Sequence, residues 1–182
     1  MSTPVYQFKI TLSGILPPIW RRFRVDSDIT FRQLHNIVQI VMGWDNYHLY
    51  QFFFDSYQFT DSQMDPGDKP TTHRLDEFVQ LEGAFLGYEY DFGDSWQHEL
   101  VLEKILTDPG KPVPLCIEGR RACPPEDCGG VWGYTDLVEA MKVRRGQQYR
   151  EYREWLGGHF EAEAFDIEAV NKRLADPQLW RN

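Results

Sequence analysis

The stretch CIEGRRACPPEDCGG, Cys116 to Gly130, holds all three cysteines of the chain among carboxylates, arginines and glycines. Thiolates are zinc ligands, and a structural zinc takes four donors. The spacing here is C-x6-C-x4-C, without the close C-x2-C pair that such sites commonly use. Zinc at Cys116, Cys123 and Cys128 therefore needs a fourth ligand from elsewhere. His98, in the strand expected just upstream, is the first candidate; His159, Glu126 and Asp127 are the others. Pro124-Pro125 would stiffen the turn between Cys123 and Cys128, and Gly129-Gly130 would let it bend. The simpler expectation is three small thiols packed in an ordered loop. No C-x-x-C pair supports a redox role.

A second constellation is YEYDFGDSWQH, Tyr88 to His98. Asp91, Asp94 and His98 converge at one end of an expected hairpin. Two carboxylates and an imidazole suit acid–base work or a divalent cation. The same residues also make an ordinary turn, with Asp94 accepting backbone hydrogen bonds while Tyr90, Phe92 and Trp96 pack a core. The third is PPIWRRFRV, Pro17 to Val25, where Arg21, Arg22 and Arg24 offer phosphate contacts and Trp20 or Phe23 a stacking surface. Pairing with the chain's own carboxylates is the simpler use of these arginines. Lys142, Arg144, Arg145, Arg150 and Arg153 are interleaved with Glu151 and Glu154 and read as a solvated helix face. In GWDNYHLYQF, Trp44 and Tyr47 are expected to cover a helix end, and His48 reads as a hydrogen-bonded histidine at a strand start rather than a ligand.

The elements that must position these groups follow from periodicity. Tyr6, Phe8, Ile10 and Leu12 alternate with polar partners and predict a strand over 5–12. Ile19 to Val25 predicts a second. Thr30 and Gln33 make a T-x-x-Q capping pair, and Phe31, Leu34, Ile37, Val38 and Val41 recur at helical intervals up to Gly43. Strands are expected over His48–Asp55, Phe85–Phe92 and Trp96–Leu106, with a short hairpin near Tyr57–Phe59 inside a loop over Ser56–Thr72 and a short helix or turn over Leu75–Leu81. Residues 108–134 read as one long Pro/Gly/Cys loop, a length that is uncommon unless it is functional or pinned. Helices are expected from Thr135, over Tyr149–Leu156, and over Ile167–Leu174 before Asp176-Pro177. Strands first and helices last predict an α+β fold: one domain over 1–182, strand-rich over 1–107, with the loop over 108–134 and a helical tail over 135–182, its antiparallel or mixed sheet packed by the early helix and the tail.

Composition bounds the function. The 182 residues are 42% hydrophobic and 15% aromatic, enough for a sizeable core, and the net charge of −9 argues against a phosphate-gripping surface. The N-terminal stretch has no signal-peptide pattern and no apolar run is long enough for a bilayer, so a cytoplasmic protein with no membrane partner is expected. An odd number of thiols fits a reducing compartment.

Four blocks, PPIWRRFRV, LHNIVQIVMGWDNYHLYQF, YEYDFGDSWQHELVLEKI and CIEGRRACPPEDCGGVWGY, resemble in that order the plasmid pRiA4b ORF-3-like family, as does the closing WLGGHFEAEAFDIEAVNKRL. The resemblance spans nearly the whole chain and implies a compact α+β domain. Some members are labelled TnpR-type passenger proteins of insertion elements, which implies an association with mobile elements. The residues themselves do not supply serine-resolvase chemistry: Ser13 stands in LSG without the arginines that would hold a scissile phosphate.

The first functional expectation is thus a binding or interaction module for a protein or nucleic-acid partner. Its surface would combine Arg21, Arg22 and Arg24 with Asp91, Asp94, His98, Glu126 and Asp127. The alternative is a metal-dependent, hydrolase-type enzyme using Asp91, Asp94, His98 and Glu126 or Asp127 around a divalent ion. It has no H-E-x-x-H, G-x-S-x-G or Walker motif behind it. A nucleic-acid-binding protein is the third.

Overall fold

The computed structural model describes residues 3–61, 66–108, 110 and 112–182. Parts of the Ser56–Thr72 and 108–134 loop expectations, and of the N-terminal reading, therefore lie outside the described residues.

Seven strands form one antiparallel sheet: β1 (Val5–Leu12), β2 (Trp20–Asp26), β3 (Tyr50–Phe54), β4 (Tyr57–Phe59), β5 (Phe85–Tyr90), β6 (Trp96–Leu106) and β7 (Leu115–Arg120), in the order β4-β3-β5-β6-β1-β2-β7. Alternation decides its faces. Tyr6, Phe8, Ile10 and Leu12 of β1, Tyr88 and Tyr90 of β5, and Trp96, His98, Leu100 and Leu102 of β6 are buried. Gln97, Glu99, Glu103, Arg22 and Arg24 point the other way, so one face is core and the other is wet.

Helix α1 (Phe31–Met42) covers the apolar face. Its start is a capping box: the Gln33 N–H donates to Thr30 Oγ1 at 3.1 Å and the Thr30 N–H to Gln33 Oε1 at 3.0 Å. Gly43, at φ 111°, ends it in the left-handed region. Phe31 stacks on Phe59 at 3.8 Å and His35 on Tyr50 at 3.4 Å. Of the tail helices α2 (Gly130–Val143), α3 (Gln147–Trp155) and α4 (Ile167–Leu174), α4 packs on α1 and β7, and α3 on α2. Among the described residues no helix is long and apolar enough to cross a membrane.

The largest differences from expectation lie in the expected loop over 108–134. Leu115–Arg120 is an edge strand paired with β2, and α2 begins at Gly130, not at Thr135. Strand β7 is specified from a distance: its open edge is met by α4, where Asn171 Oδ1 accepts the Cys116 N–H at 2.8 Å and Asn171 Nδ2 donates to the Cys116 carbonyl at 2.9 Å. A side-chain amide there stands in for the next strand. Helix α2 starts at a glycine because nothing larger fits: a Cβ on Gly130 would sit 2.7 Å from the Asp94 carbonyl oxygen, at φ +65°.

Candidate functional site

Three loops meet at one end of the sheet: residues 43–49 between α1 and β3, 91–95 between β5 and β6, and 121–129 between β7 and α2. They are laced together by named bonds. Trp44 Nε1 donates to the Pro124 carbonyl at 3.0 Å. The Asp91 N–H donates to the Leu49 carbonyl at 2.9 Å, and the Gly129 N–H to Asp94 Oδ2 at 3.1 Å. Four residues of these loops, Asn46, Asp91, Ser95 and Asp127, hold φ between 52° and 59°. Asn and Asp tolerate that region best, but each such residue costs stability, and such conformations gather where side chains must be aimed.

What they aim is a cluster of donors. His48 Nε2 lies 3.2 Å from Asp127 Oδ1 and 3.9 Å from Glu126 Oε2; His48 Nδ1 lies 3.7 Å from Asp91 Oδ1. One ligand atom each from His48, Asp91 and Asp127 falls within 4.8 Å of the others. Two donors about 2.1 Å from one ion and 90–109° apart are roughly 3.0–3.4 Å from each other; the His48 Nε2–Asp127 Oδ1 pair has that spacing, the Glu126 Oε2 contact is longer, and Asp91 faces the other ring nitrogen.

Glu126 shows how the site is set. Its Oε1 accepts the Tyr90 hydroxyl at 2.9 Å and the Asp45 N–H at 2.9 Å. Its Oε2 is buried with no hydrogen-bond partner, and so is His48 Nε2. A carboxylate with one saturated and one bare buried oxygen is costly unless a cation or water completes it. The Tyr90 oxygen in turn accepts the Tyr47 N–H at 3.0 Å. Burial, then the bond to Glu126, holds the Tyr90 hydroxyl well above its usual range, so it stays a donor.

Behind this lies a second network. His35 Nε2 donates to Asn46 Oδ1 at 2.7 Å, because an amide oxygen only accepts; His35 Nδ1 then accepts from the Tyr88 hydroxyl at 2.8 Å. Gln39 closes the ring, donating to the Tyr88 oxygen at 3.0 Å and accepting the Asn46 N–H at 2.9 Å. Helix α1 thereby fixes the loop that carries His48. Burial pushes the His35 imidazole down to about 4, which keeps it neutral and this tautomer intact.

The expected residues divide. Asp91, Glu126 and Asp127 come together. Asp94 is a neighbour that braces Gly129 rather than a donor in the cluster. His98 is two residues into β6 and faces the core: it is buried, edge-on to Trp44 at 5.2 Å, its Nδ1 3.3 Å from the Tyr88 carbonyl, and burial pushes it down to about 3. The set Cys116, Cys123, Cys128 and His98 is not gathered within 4.8 Å; among the described residues that closeness belongs to His48, Asp91 and Asp127. Cys116 and Cys128 are buried, and burial pushes these thiols up to about 11 and about 12 and raises Cys123 as well, so all three stay protonated.

The arginines also part from the expected surface. Arg21 is buried: it donates to the carbonyls of Val41 (2.8 Å), Trp20 (2.9 Å), Arg120 (2.8 Å) and Arg121 (2.8 Å), and stacks 3.9 Å above Phe165. Arg22 is bidentate to Glu103 and also pairs with Glu118. Arg24 donates to Gln7 Oε1 at 3.1 Å. The pairing is internal: the carboxylates that meet Arg22 are on β6 and β7, and Arg21 is held by backbone carbonyls instead.

The sequence reading takes His48 as a hydrogen-bonded histidine rather than a ligand, and Tyr90 as core only. It placed His48 in a strand; β3 starts only at Tyr50, which leaves the imidazole on the loop. The signal lay in WDNY just before it, a turn composition that ends at the histidine.

Residues 4–169 match the family described as plasmid pRiA4b ORF-3-like protein. The chain is 35% identical over 181 residues to "Uncharacterized protein y4hQ" of Sinorhizobium fredii, covering 97% of this chain and 93% of that one. It is also similar to a crystal structure, "Protein of Unknown Function MM3350" from Methanosarcina mazei Go1, at 38% identity and a TM-score of 0.84, covering 92% of this chain and 98% of that one.

Proposed function

We propose that the chain, which belongs to the plasmid pRiA4b ORF-3-like protein family, is a binding module built around a divalent-cation centre. His48, Asp91 and Asp127 are its ligands, with Glu126 as the fourth. One imidazole with carboxylates suits zinc, manganese or nickel better than calcium, which takes oxygen alone. The observation that carries the reading is a pair of buried atoms without a hydrogen bond, Glu126 Oε2 and His48 Nε2, 3.9 Å apart, with Asp127 Oδ1 3.2 Å from the same ring nitrogen.

The partner expected from the sequence, a protein or nucleic acid, would meet this end of the sheet. Nucleic acid is the less supported, because Arg21, Arg22 and Arg24 are engaged within the fold. The second reading, a metal-dependent hydrolase, is favoured by one feature: Asp127 is exposed, which leaves one side of the ion open to a water or a substrate. A cytoplasmic setting suits the unpaired thiols. The link to mobile elements that the resemblance implies belongs to this proposal as genomic company rather than chemistry.

Calorimetric titration of chelator-stripped protein with Zn2+ and Mn2+ tests it. One site per chain is expected, with Asp91→Asn weakening it at least tenfold while the thermal transition of the metal-free protein stays within a few degrees. Uptake that is absent, or equal in the variant and the parent, overturns the reading.

A further inference from the structure

Asp127 and Cys128 also form one wall of a cleft of about 390 Å³. The facing wall is α3: Gln148, Glu151, Tyr152 and Trp155. These are positions i, i+3, i+4 and i+7, a single stripe of the helix. The stripe is under-used by the fold. No residue of α3 is fully buried, and Trp155 stays 49% exposed. The Tyr152 and Trp155 rings lie 6.4 Å apart at 57°, two aromatic surfaces set at an angle. Among the described residues, the charged groups lining the cleft are Asp127 and Glu151, both acidic, and no lysine or arginine lines it. Gln147 Nε2 donates to Glu151 Oε1 at 2.7 Å, which fixes that carboxylate and leaves its second oxygen for another donor.

We propose that this cleft binds an organic cation, an alkylammonium group seated against the Tyr152 and Trp155 rings with Glu151 as its counter-ion. Aromatic faces attract cations through their quadrupole, tryptophan most strongly. An anion meets two carboxylates in a chain of net charge −9. A neutral apolar guest dries the surroundings of both carboxylates without supplying a counter-charge. The volume lies within the range of small-ligand pockets and accommodates a four-carbon amine. The same chemistry comes from a free amine or from a lysine side chain of a protein. The site is separate from the cation centre, sharing only Asp127 with it.

The test is a titration of 15N-labelled full chain followed at the Trp155 indole resonance, which is identified by its loss in Trp155→Phe. n-Butylammonium chloride is the probe, and n-butanol is its neutral counterpart in matched sodium chloride. A saturable shift with the ammonium and no comparable shift with the alcohol is expected. Glu151→Gln, on an exposed helix position, should weaken binding about threefold to tenfold. Asp91→Asn, which damages only the metal centre, should leave it unchanged, so failure of either site is read separately. Acetyl-Gly-Lys-Gly-amide distinguishes the sources: binding tighter than butylammonium assigns a protein-borne lysine, and equal or weaker binding assigns a free amine. Equal shifts from butanol, a shift that does not saturate, or indifference to Glu151→Gln overturns the proposal.

Discussion

Two histidines of this chain show how differently one residue type is used. His48 sits on a loop with carboxylates around it; His98 is buried behind Trp44 with its Nε2 unpartnered. The folded-state value of His98, about 3, lies below the ordinary value near 6.5, and His35 at about 4 behaves alike. The unfolded chain therefore binds these protons first. Their contribution is complete above about pH 6.5 and is lost as the pH falls toward the folded values, by about 1.4 kcal/mol per pH unit for each histidine. Denaturant unfolding of His98→Phe against the parent checks this. Between pH 6 and 4.5 the variant's stability should fall less steeply, by about one proton's worth of slope. Parallel slopes would mean that His98 titrates normally in the folded protein. At the same scale, Asp91, Glu126 and Asp127 were legible as candidate donors because Asp and Glu in turn-rich stretches invite that reading. His98 misled because strand alternation puts it with Trp96, Leu100 and Leu102 on the core face of β6, away from the loop carboxylates.

Elements explain why a cluster of arginines serves structure. In β2, Arg21 shares its parity with Phe23 and Val25, so the strand's own alternation sends it into the core with them. Once there it ties the C-terminal end of α1 to the end of β7 through four carbonyls. That parity is visible in the sequence, whereas the carbonyls that await the guanidinium come from residues up to 100 positions away and are not. Arg21→Met should destabilise the protein by about 3 kcal/mol or more, a drop of roughly 6–12 °C in the thermal midpoint. A midpoint unchanged within a degree or two would return Arg21 to the surface. The early helix was legible down to its caps because its signals are local: Thr30, Gln33 and Gly43 act within one turn. Strand β7 was not, since its pairing with β2 and its cover by Asn171 are long-range. The start of α2 was hidden for a related reason. Two glycines read as a bend, and their purpose is close approach to the Asp94 backbone.

For the whole molecule, an antiparallel sheet with α1 over its apolar face and α4 against the edge of β7 leaves the loop end at 43–49, 91–95 and 121–129 as the place where function can be mounted. The class of the fold and its helical tail followed from the order of periodic segments, and the family followed from long motifs in order. The meeting of three loops distant in sequence did not, because loop closure is decided by packing. A chain of net charge −9 that gathers Asp91, Glu126 and Asp127 beside one imidazole works against its own repulsion, and the proposed divalent ion would remove that opposition. X-ray absorption at the zinc edge of stoichiometrically loaded protein tests this most directly, since it separates the imidazole–carboxylate centre from a thiolate one. The account predicts a single shell of nitrogen and oxygen at about 2.0–2.2 Å and no sulfur shell. Sulfur at about 2.3 Å would hand the metal to Cys116, Cys123 and Cys128 and contradict it.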